Sequence, residues 1–450
     1  MTIKRKLAVV LGIIIAMAAI IAIAVPRLRS DDEPVYYVTS ETNGLYEEYE
    51  EVYAMSDTRP PGWELDLPSL AQAFESYFLF GSIYSSTSVM NQHNTREMFL
   101  HHFNAVTAEN WHKPYNMAPR GFARPEASQY NFDLADAIVE WAIESGITLI
   151  GHVLVWHSQS PDWLNLSAPS VPLTRAEARA NMEFHIRTLA EHFTAQGTID
   201  AFHSWDVVNE AIASDGGSWG GRASDWDAGD WRTQMREDSP WFMAYANGYN
   251  PEAGEHPSDY VYDAFVFARR YFPNSILYYN DYNEEIPAKR NAIAQMVEQL
   301  NMRWAHDTEN NPEAVPEGEE YSGRMLIEGI GMQGHYHLDQ WRTNLDNIRP
   351  AIERLIATGA VISITELDIT AGMQASPFAA PLDEFNRQRQ AEAFGRLMGY
   401  YLEFHEHIER VTVWGKADHQ SWRSWGHPLL FDTNYHAKEA FFAIIDAVNR

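Results

Sequence analysis

The chain has 450 residues, 45% of them apolar and 21% charged, and a formal net charge of −29. That composition is globular and supplies a large core, while the negative charge repels polyanions and excludes nucleic acid as a partner. Cysteine is absent, which excludes disulfides, thiolate catalysis and cysteine-based zinc sites.

The chain opens with a basic triplet, Lys4 to Lys6, followed by an uncharged apolar run from Leu7 to Val25. Within the run, Ala22-Ile23-Ala24 resembles the small-residue site at which secretory signals are cut. The run is also close to the roughly 20 residues that span a bilayer. Residues 1–30 are therefore predicted to be a signal peptide or signal anchor. The remainder is expected to be exported, either secreted or held on the outer side of the cytoplasmic membrane. Membrane contact is expected only through that segment. Residues 31–62 are acidic, end in Pro60-Pro61-Gly62 and read as a leader or linker.

From residue 63 to 450 the pattern becomes regular, and eight short β-rich apolar runs follow one another. They cover 77–84, 102–110, 148–156, 202–210, 275–283, 327–335, 361–369 and 410–418. Helical patterns separate them. In 131–146, Leu134, Ile138 and Trp141 fall on one face and Gly146 follows as a C-cap. Thr174 with Glu177 three residues later reads as a capping box. Eight strands alternating with helices predict a (β/α)8 TIM barrel in the α/β class, as one catalytic domain. A doubly wound open sheet is the alternative, but no Gly-rich phosphate turn follows the first strand. A long insertion after strand four carries Trp219, Trp226, Trp231 and Trp241. Packing onto the barrel is the simpler reading of those Trp, and sugar binding the other. A second, acidic insertion precedes strand six and is expected on the opposite face.

Seven of the eight strands end in polar residues, which a barrel would gather at one mouth. There is no G-x-x-x-x-G-K-[ST] loop and no H-E-x-x-H zinc pattern in the chain. His335 and His337 at i, i+2 are most simply hydrogen-bonding or packing residues, with metal ligation the alternative. Carboxylates remain. Glu210 ends strand four and Glu366 ends strand seven, across part of the barrel from each other. A single buried Glu is most simply an ion-pair partner of Arg or Lys. Two at strand ends with amide and aromatic neighbours suit sugar hydrolysis, which needs two carboxyl groups flanking the glycosidic bond.

The segments "GHVLVWHSQSPDWL", "WDVVNEA", "YYNDYN", "GIGMQGHYH", "ITELDIT" and "WGKADHQSWR" stand in order over about 65–450. Together they resemble the endo-β-1,4-xylanases of glycoside hydrolase family 10. The resemblance implies a (β/α)8 barrel acting on xylan and xylo-oligosaccharides with retention of configuration, without metal or other cofactor. It implies that Glu210 is the acid/base and Glu366 the nucleophile. Asn209 would hold the sugar 2-hydroxyl, His335 would flank the nucleophile and Asp368 would orient His335. Glu109, Asn110 and Lys113 would bind the glycone, with His152, Trp156, Gln159 and Gln333 walling the adjacent subsite. Trp414 and Trp422 would form its aromatic floor and lid, and Tyr282 would face the leaving group.

Three features depart from the family pattern: Trp111, the Lys416-Ala417-His419 set after strand eight, and the length of the Trp-rich insertion. These bear on glycone and leaving-group preference. A cellulase or mixed-linkage glucanase, a non-catalytic carbohydrate-binding protein and a metal-dependent hydrolase are the other readings. A monomer is expected.

Overall fold

The computed structural model describes residues 67–84, 93–213, 229–339, 344–371 and 382–449. The predicted signal segment, the acidic leader, Trp219 and Trp226 lie outside the described residues. Among the described residues no helix is long and apolar enough to cross a membrane.

Each predicted run overlaps one strand of a single parallel barrel; the eighth is displaced, its strand covering 408–413 against the predicted 410–418. The strands are β1 (Leu79–Tyr84), β2 (Ala105–Ala108), β3 (Thr148–Trp156), β4 (Phe202–Asn209), β5 (Ile276–Asp281), β6 (Gly329–Met332), β7 (Val361–Thr370) and β8 (Ile408–Val413). Neighbours pair in parallel all the way round, and β8 returns to β1 with Leu79 opposite Arg410. Closure leaves the eight barrel strands without a free edge, and the helices between strands cover the outside.

Register shifts interrupt three pairs: β3 with β4, β4 with β5, and β7 with β8. The first and third shift near the strand starts, and all three shift towards the mouth, at His152/Val155, Asp206/Val208 and Ile364/Leu367. Such irregularities bend a strand and re-aim its side chains. The mouth-side shifts lie beside the strand ends that carry the polar residues. The predicted sixth strand is in two pieces, which corrects the reading of 327–335 as one run. β6 stops at Met332, Gly334 takes a φ of +79°, and a separate strand, His335–His337, pairs with β7 opposite Asp368 to Thr370. A left-handed turn at Gly334 breaks the run while costing little, since glycine has no Cβ.

The helix Asp133–Ser145 ends on Gly146 at φ +65°, and Thr174 and Glu177 cap the helix Arg175–Gln196 reciprocally. Leu134, placed by the sequence on the buried face, is 45% exposed; Ala135, Ile138, Val139, Trp141 and Ala142 make that face instead. The apolar stripe is rotated by one position, so Leu134 starts the helix at its rim.

The insertion after β4 is pinned by its tryptophans. Trp231 is buried against the helix Pro287–Ala305, its backbone N–H on Gln295 Oε1 (2.7 Å) and its indole N–H on Gln299 Oε1 (2.9 Å). Trp241 is buried too, and donates to the Trp156 carbonyl at 3.0 Å. The packing reading therefore holds for these two.

Between barrel and helices, Trp205 of β4 stacks on Phe202 with ring centroids 4.6 Å apart and meets Phe272 at 5.1 Å. Its ring lies over Gly151, its register partner on β3. A Cβ there would sit 2.2 Å from the indole. Overpacking of this kind costs roughly 1–3 kcal/mol. G151A is therefore expected to destabilise the fold by about that amount. Chemical denaturation is the check, and an unchanged midpoint would contradict this packing.

Candidate active site

β4 delivers Asn209 and Glu210 to the mouth. Glu210 is buried and adopts φ +59°, a left-handed conformation that costs a non-glycine residue about 1–2 kcal/mol. Its N–H donates to the Asn280 carbonyl on β5 at 2.9 Å. Its carboxylate accepts three hydrogen bonds: Trp156 Nε1 to Oε2 (3.0 Å), Gln333 Nε2 to Oε1 (2.8 Å) and Asn209 Nδ2 to Oε1 (3.2 Å). All three donors are neutral. His157 Nε2 stands 3.9 Å from Oε2.

β7 delivers Glu366, also buried. One oxygen accepts from Asn280 Nδ2 at 2.8 Å and the other lies 3.1 Å from His335 Nε2. His335 Nδ1 lies 3.0 Å from Asp368 Oδ2, and Arg423 donates to the other Asp368 oxygen and to Thr370 Oγ1. The result is a row of alternating charges: Glu366, His335, Asp368, Arg423.

The two carboxylates are joined by amides. Asn280 Nδ2 also donates to Asn209 Oδ1 at 3.0 Å, and Gln333 Nε2 reaches the same oxygen at 3.2 Å. Thr365 Oγ1 fixes the Asn280 amide by donating to its Oδ1 at 2.6 Å. A Cβ on Gly331 would sit 2.2 Å from that Oδ1, so a glycine there leaves the Asn280 amide its room.

These environments set the two carboxyls apart. For Glu366, burial pushes the pKa up, but the His335 hydrogen bond, His152 and the His335 charge together bring it below the ordinary value. For His335, burial works downward and Asp368 and Glu366 outweigh it, raising the imidazole to about 10. It therefore stays protonated, hydrogen-bonded to Glu366 and ion-paired with Asp368. For Glu210, burial again pushes up, and His157, Gln333, Arg236 and Trp156 together bring it down. His157 is itself lowered to about 4, chiefly by burial, so near neutral pH it carries no charge. Its pull on Glu210 is then absent, and neutral hydrogen bonds with Arg236 are left against burial.

The residues expected to bind sugar line the same mouth. Lys113 Nζ donates to Gln159 Oε1 (2.7 Å) and Asn110 Oδ1 (3.1 Å) and lies 5.0 Å from the Trp156 ring centroid. Half-buried Glu109 follows β2, its N–H on the Tyr84 carbonyl at 3.0 Å. His152 Nδ1 meets Asp206 Oδ2 at 2.9 Å, and its ring packs edge-on to Trp414 at 5.4 Å. Trp422 is edge-on to His335 at 5.1 Å. Tyr282 stands at the end of β5 and accepts a hydrogen bond from Arg236 at 2.9 Å. His337 turns away from the carboxylates and packs edge-on to Trp425. Among the described residues no group of three His, Asp or Glu is arranged to hold a metal.

Four residues of the site escaped the sequence reading: Asp206, Asn280, Arg423 and Arg236. Asn280 and Asp206 sit inside strands, where a polar residue is visible but its partner is not. Arg423 lies one residue past Trp422, within a segment already singled out. Arg236 lies 26 residues beyond Glu210 and carries no local signal.

A closed (β/α)8 barrel with two buried carboxylates in unlike hydrogen-bond settings at its mouth is the architecture of a two-carboxylate glycosidase. Residues 69–447 match the family model described as glycosyl hydrolase family 10, and the chain belongs to that family. An endo-1,4-beta-xylanase from Geobacillus stearothermophilus is 30% identical over 393 residues, 84% of this chain and 98% of that protein. A family 10 xylanase from termite gut with a bacterial Ig-like domain superposes with a TM-score of 0.68 at 34% identity, covering 86% of this chain and 79% of that one. A mutant of the intracellular xylanase of Thermoanaerobacterium saccharolyticum, in complex with xylotetraose, gives 0.66 at 29% identity, covering 85% and 99%.

The departure at Lys416 has a physical consequence. The residue is buried, with Nζ 3.4 Å from the Ile83 carbonyl and 4.0 Å from the Tyr84 ring centroid. Burial lowers its pKa from the ordinary 10.5 to about 7, with Glu109 pulling the other way. Between those values the unfolded chain holds a proton that the folded chain lacks. Stability therefore falls as pH drops through that window and stays reduced below about 7. K416M removes the penalty. It is expected to raise Tm at pH 6, with the gain shrinking towards pH 10, as scanning calorimetry across that range would record. A gain that is flat with pH would contradict this account.

Proposed function

We propose that the protein is an endo-acting xylanase that hydrolyses β-1,4-xylosidic bonds of xylan and xylo-oligosaccharides with retention of configuration. One observation carries the division of roles. Glu366 is held by the imidazolium of His335, whereas Glu210 is held by neutral donors. Glu366 therefore stays ionised and attacks the anomeric carbon. Glu210 is free to carry the proton that the leaving oxygen takes. Bound sugar displaces water from the mouth, and both that burial and the Glu366 charge favour protonated Glu210. Once Glu366 is esterified its charge is gone, the Glu210 pKa falls, and the group takes a proton from the incoming water. That water then releases the sugar.

The remaining residues hold the substrate. Asn209 binds the 2-hydroxyl, and Asp368 orients His335. Glu109, Asn110, Lys113, His152, Trp156, Gln159, Gln333, Trp414 and Trp422 form the glycone side, with Tyr282 on the leaving-group side. Xylose and glucose differ by one hydroxymethyl group, a discrimination of about 1–3 kcal/mol in pocket shape. A product profile on xylan, cellulose and mixed-linkage glucan tests the substrate, and faster release from cellulose would overturn it.

E366A is expected to lower turnover by several orders of magnitude with little change in ligand binding. Near-native rates on xylan would refute the assignment. E210A is expected to cost about 10²–10⁴-fold on xylan and far less on activated aryl xylosides, which leave without a proton. Equal losses on the two would remove Glu210 from the role.

The apolar segment Leu7–Val25 supports export, with the domain from 63 to 450 secreted or anchored outside the cytoplasmic membrane. N-terminal sequencing of the cell-free protein distinguishes cleavage from anchoring. A protein found wholly in the cytoplasm would sink the reading.

A further inference from the structure

The insertion after β4 does more than pack. Its return leg runs beside the exit of β4: Ile212 bridges Met235, Ala213 N–H donates to the Gln234 carbonyl (2.8 Å) and Arg236 N–H to the Ala211 carbonyl (2.9 Å). That pairing places the Arg236 side chain on the backbone of Glu210. Nε donates to the Glu210 carbonyl oxygen at 3.2 Å, and the other arm of the fork donates to Tyr282 Oη at 2.9 Å. Tyr282 is itself held from beneath by Lys289, whose Nζ is 3.9 Å from its ring centroid and 2.7 Å from Asp281. A few residues on, Trp241 secures the carbonyl of Trp156, the residue whose indole holds the Glu210 carboxylate.

We infer that Arg236 is a positioning residue for the acid/base: it fixes Glu210 in the left-handed backbone conformation that points its carboxyl at the leaving oxygen. The inference rests on the acid/base reading of Glu210. The N–H of Glu210 is already tied to β5, so the carbonyl side is where the conformation would otherwise relax. Release of that side lets the peptide turn to an extended geometry, and the carboxyl swings off the line it needs for proton transfer. The guanidinium suits the task because a rigid fork spans two acceptors on different strands. It also leaves the carboxylate itself to neutral donors.

The charge of Arg236 has a second effect, which gives the test an independent readout. The ionisable groups facing Glu210 are His157, with Asp238 behind it, from the segments after β3 and β4; Tyr282, Asp281 and Lys289 from β5 and the helix after it; and Glu366 from β7. Lys289 and Asp281 pair with each other, and His157 is neutral near pH 7. Among the described residues Arg236 is then the uncompensated cation near Glu210, and its loss raises the pH at which Glu210 gives up its proton.

The test compares R236M, R236K, E210A and E210A/R236M, each first shown to unfold cooperatively. For each, kcat/KM is measured on xylohexaose and on 2,4-dinitrophenyl xylobioside, with full pH profiles. R236M is expected to lose at least ten times more on xylohexaose than on the activated glycoside, with its alkaline limb moved to higher pH. R236K keeps the charge, so its limb should stay near the native position while part of the loss on xylohexaose returns. Adding R236M to E210A should cost less than about threefold, because groups acting as a unit are not additive. Equal losses on both substrates, or a full additional loss in the double variant, would overturn the inference. If E210A itself shows no dependence on the leaving group, the acid/base assignment fails instead.

Discussion

The site depends on a chain of amides that joins two carboxylates. Glu210, Asn209, Asn280 and Glu366 are connected in sequence by hydrogen bonds of 2.8–3.2 Å, all buried at the barrel mouth. Two anions placed together away from water repel each other and resist ionisation. An arginine or lysine between them would relieve that, but would also hold both ionised. Amide donors fix geometry without committing charge. Side-chain amides also supply acceptors, so Asn280 can be locked by Thr365 while it holds Asn209 and Glu366. A buried network of this kind is costly where incomplete, and here each amide has partners on two strands.

Charge is then added at one end only. His335 sits on Glu366, Asp368 on His335, and Arg423 on Asp368. Alternation lets every member be buried with an opposite neighbour. Glu210 has no such row on its carboxylate. The cation Arg236 is placed on its backbone oxygen instead. The same residue type thus does two kinds of work because of where its hydrogen bonds fall. On the proposed roles, this asymmetry is what sets the nucleophile apart from the acid among two glutamates that are equally buried.

Much of this was legible from the chain. β3 occupies the predicted run 148–156, since Gly146 and Ser158 bound a mostly apolar, β-branched stretch. Glu210 stood out because a carboxylate ends an apolar run, a pattern that needs a barrel mouth to make sense of it; Glu366, expected at the end of strand seven, lies inside β7, which continues to Thr370. The sixth strand was misjudged because Gly334 reads as one more small residue, whereas its left-handed turn splits the run. Leu134 was misplaced because an apolar stripe several residues wide does not say which edge is wet. Asn280 and Asp206 could be seen but not assigned, because their partners, 71 and 54 residues away, become neighbours only when the barrel closes.

The long insertion was the hardest feature to judge from sequence. Four tryptophans in a glycine-rich stretch fit packing somewhat better than sugar binding, but not decisively. The two that are described are buried: one on a helix of the barrel, the other on the carbonyl of Trp156. A segment clamped at both points is stiff between them, and Arg236 lies between them. That stiffness lets a side chain far along the sequence hold a strained residue at the strand end, because a brace can offset backbone strain only if it does not itself yield. The burial of Trp231 and Trp241 is then explained by rigidity beside Glu210, the proposed acid/base, and Tyr282 rests on the same support through Arg236.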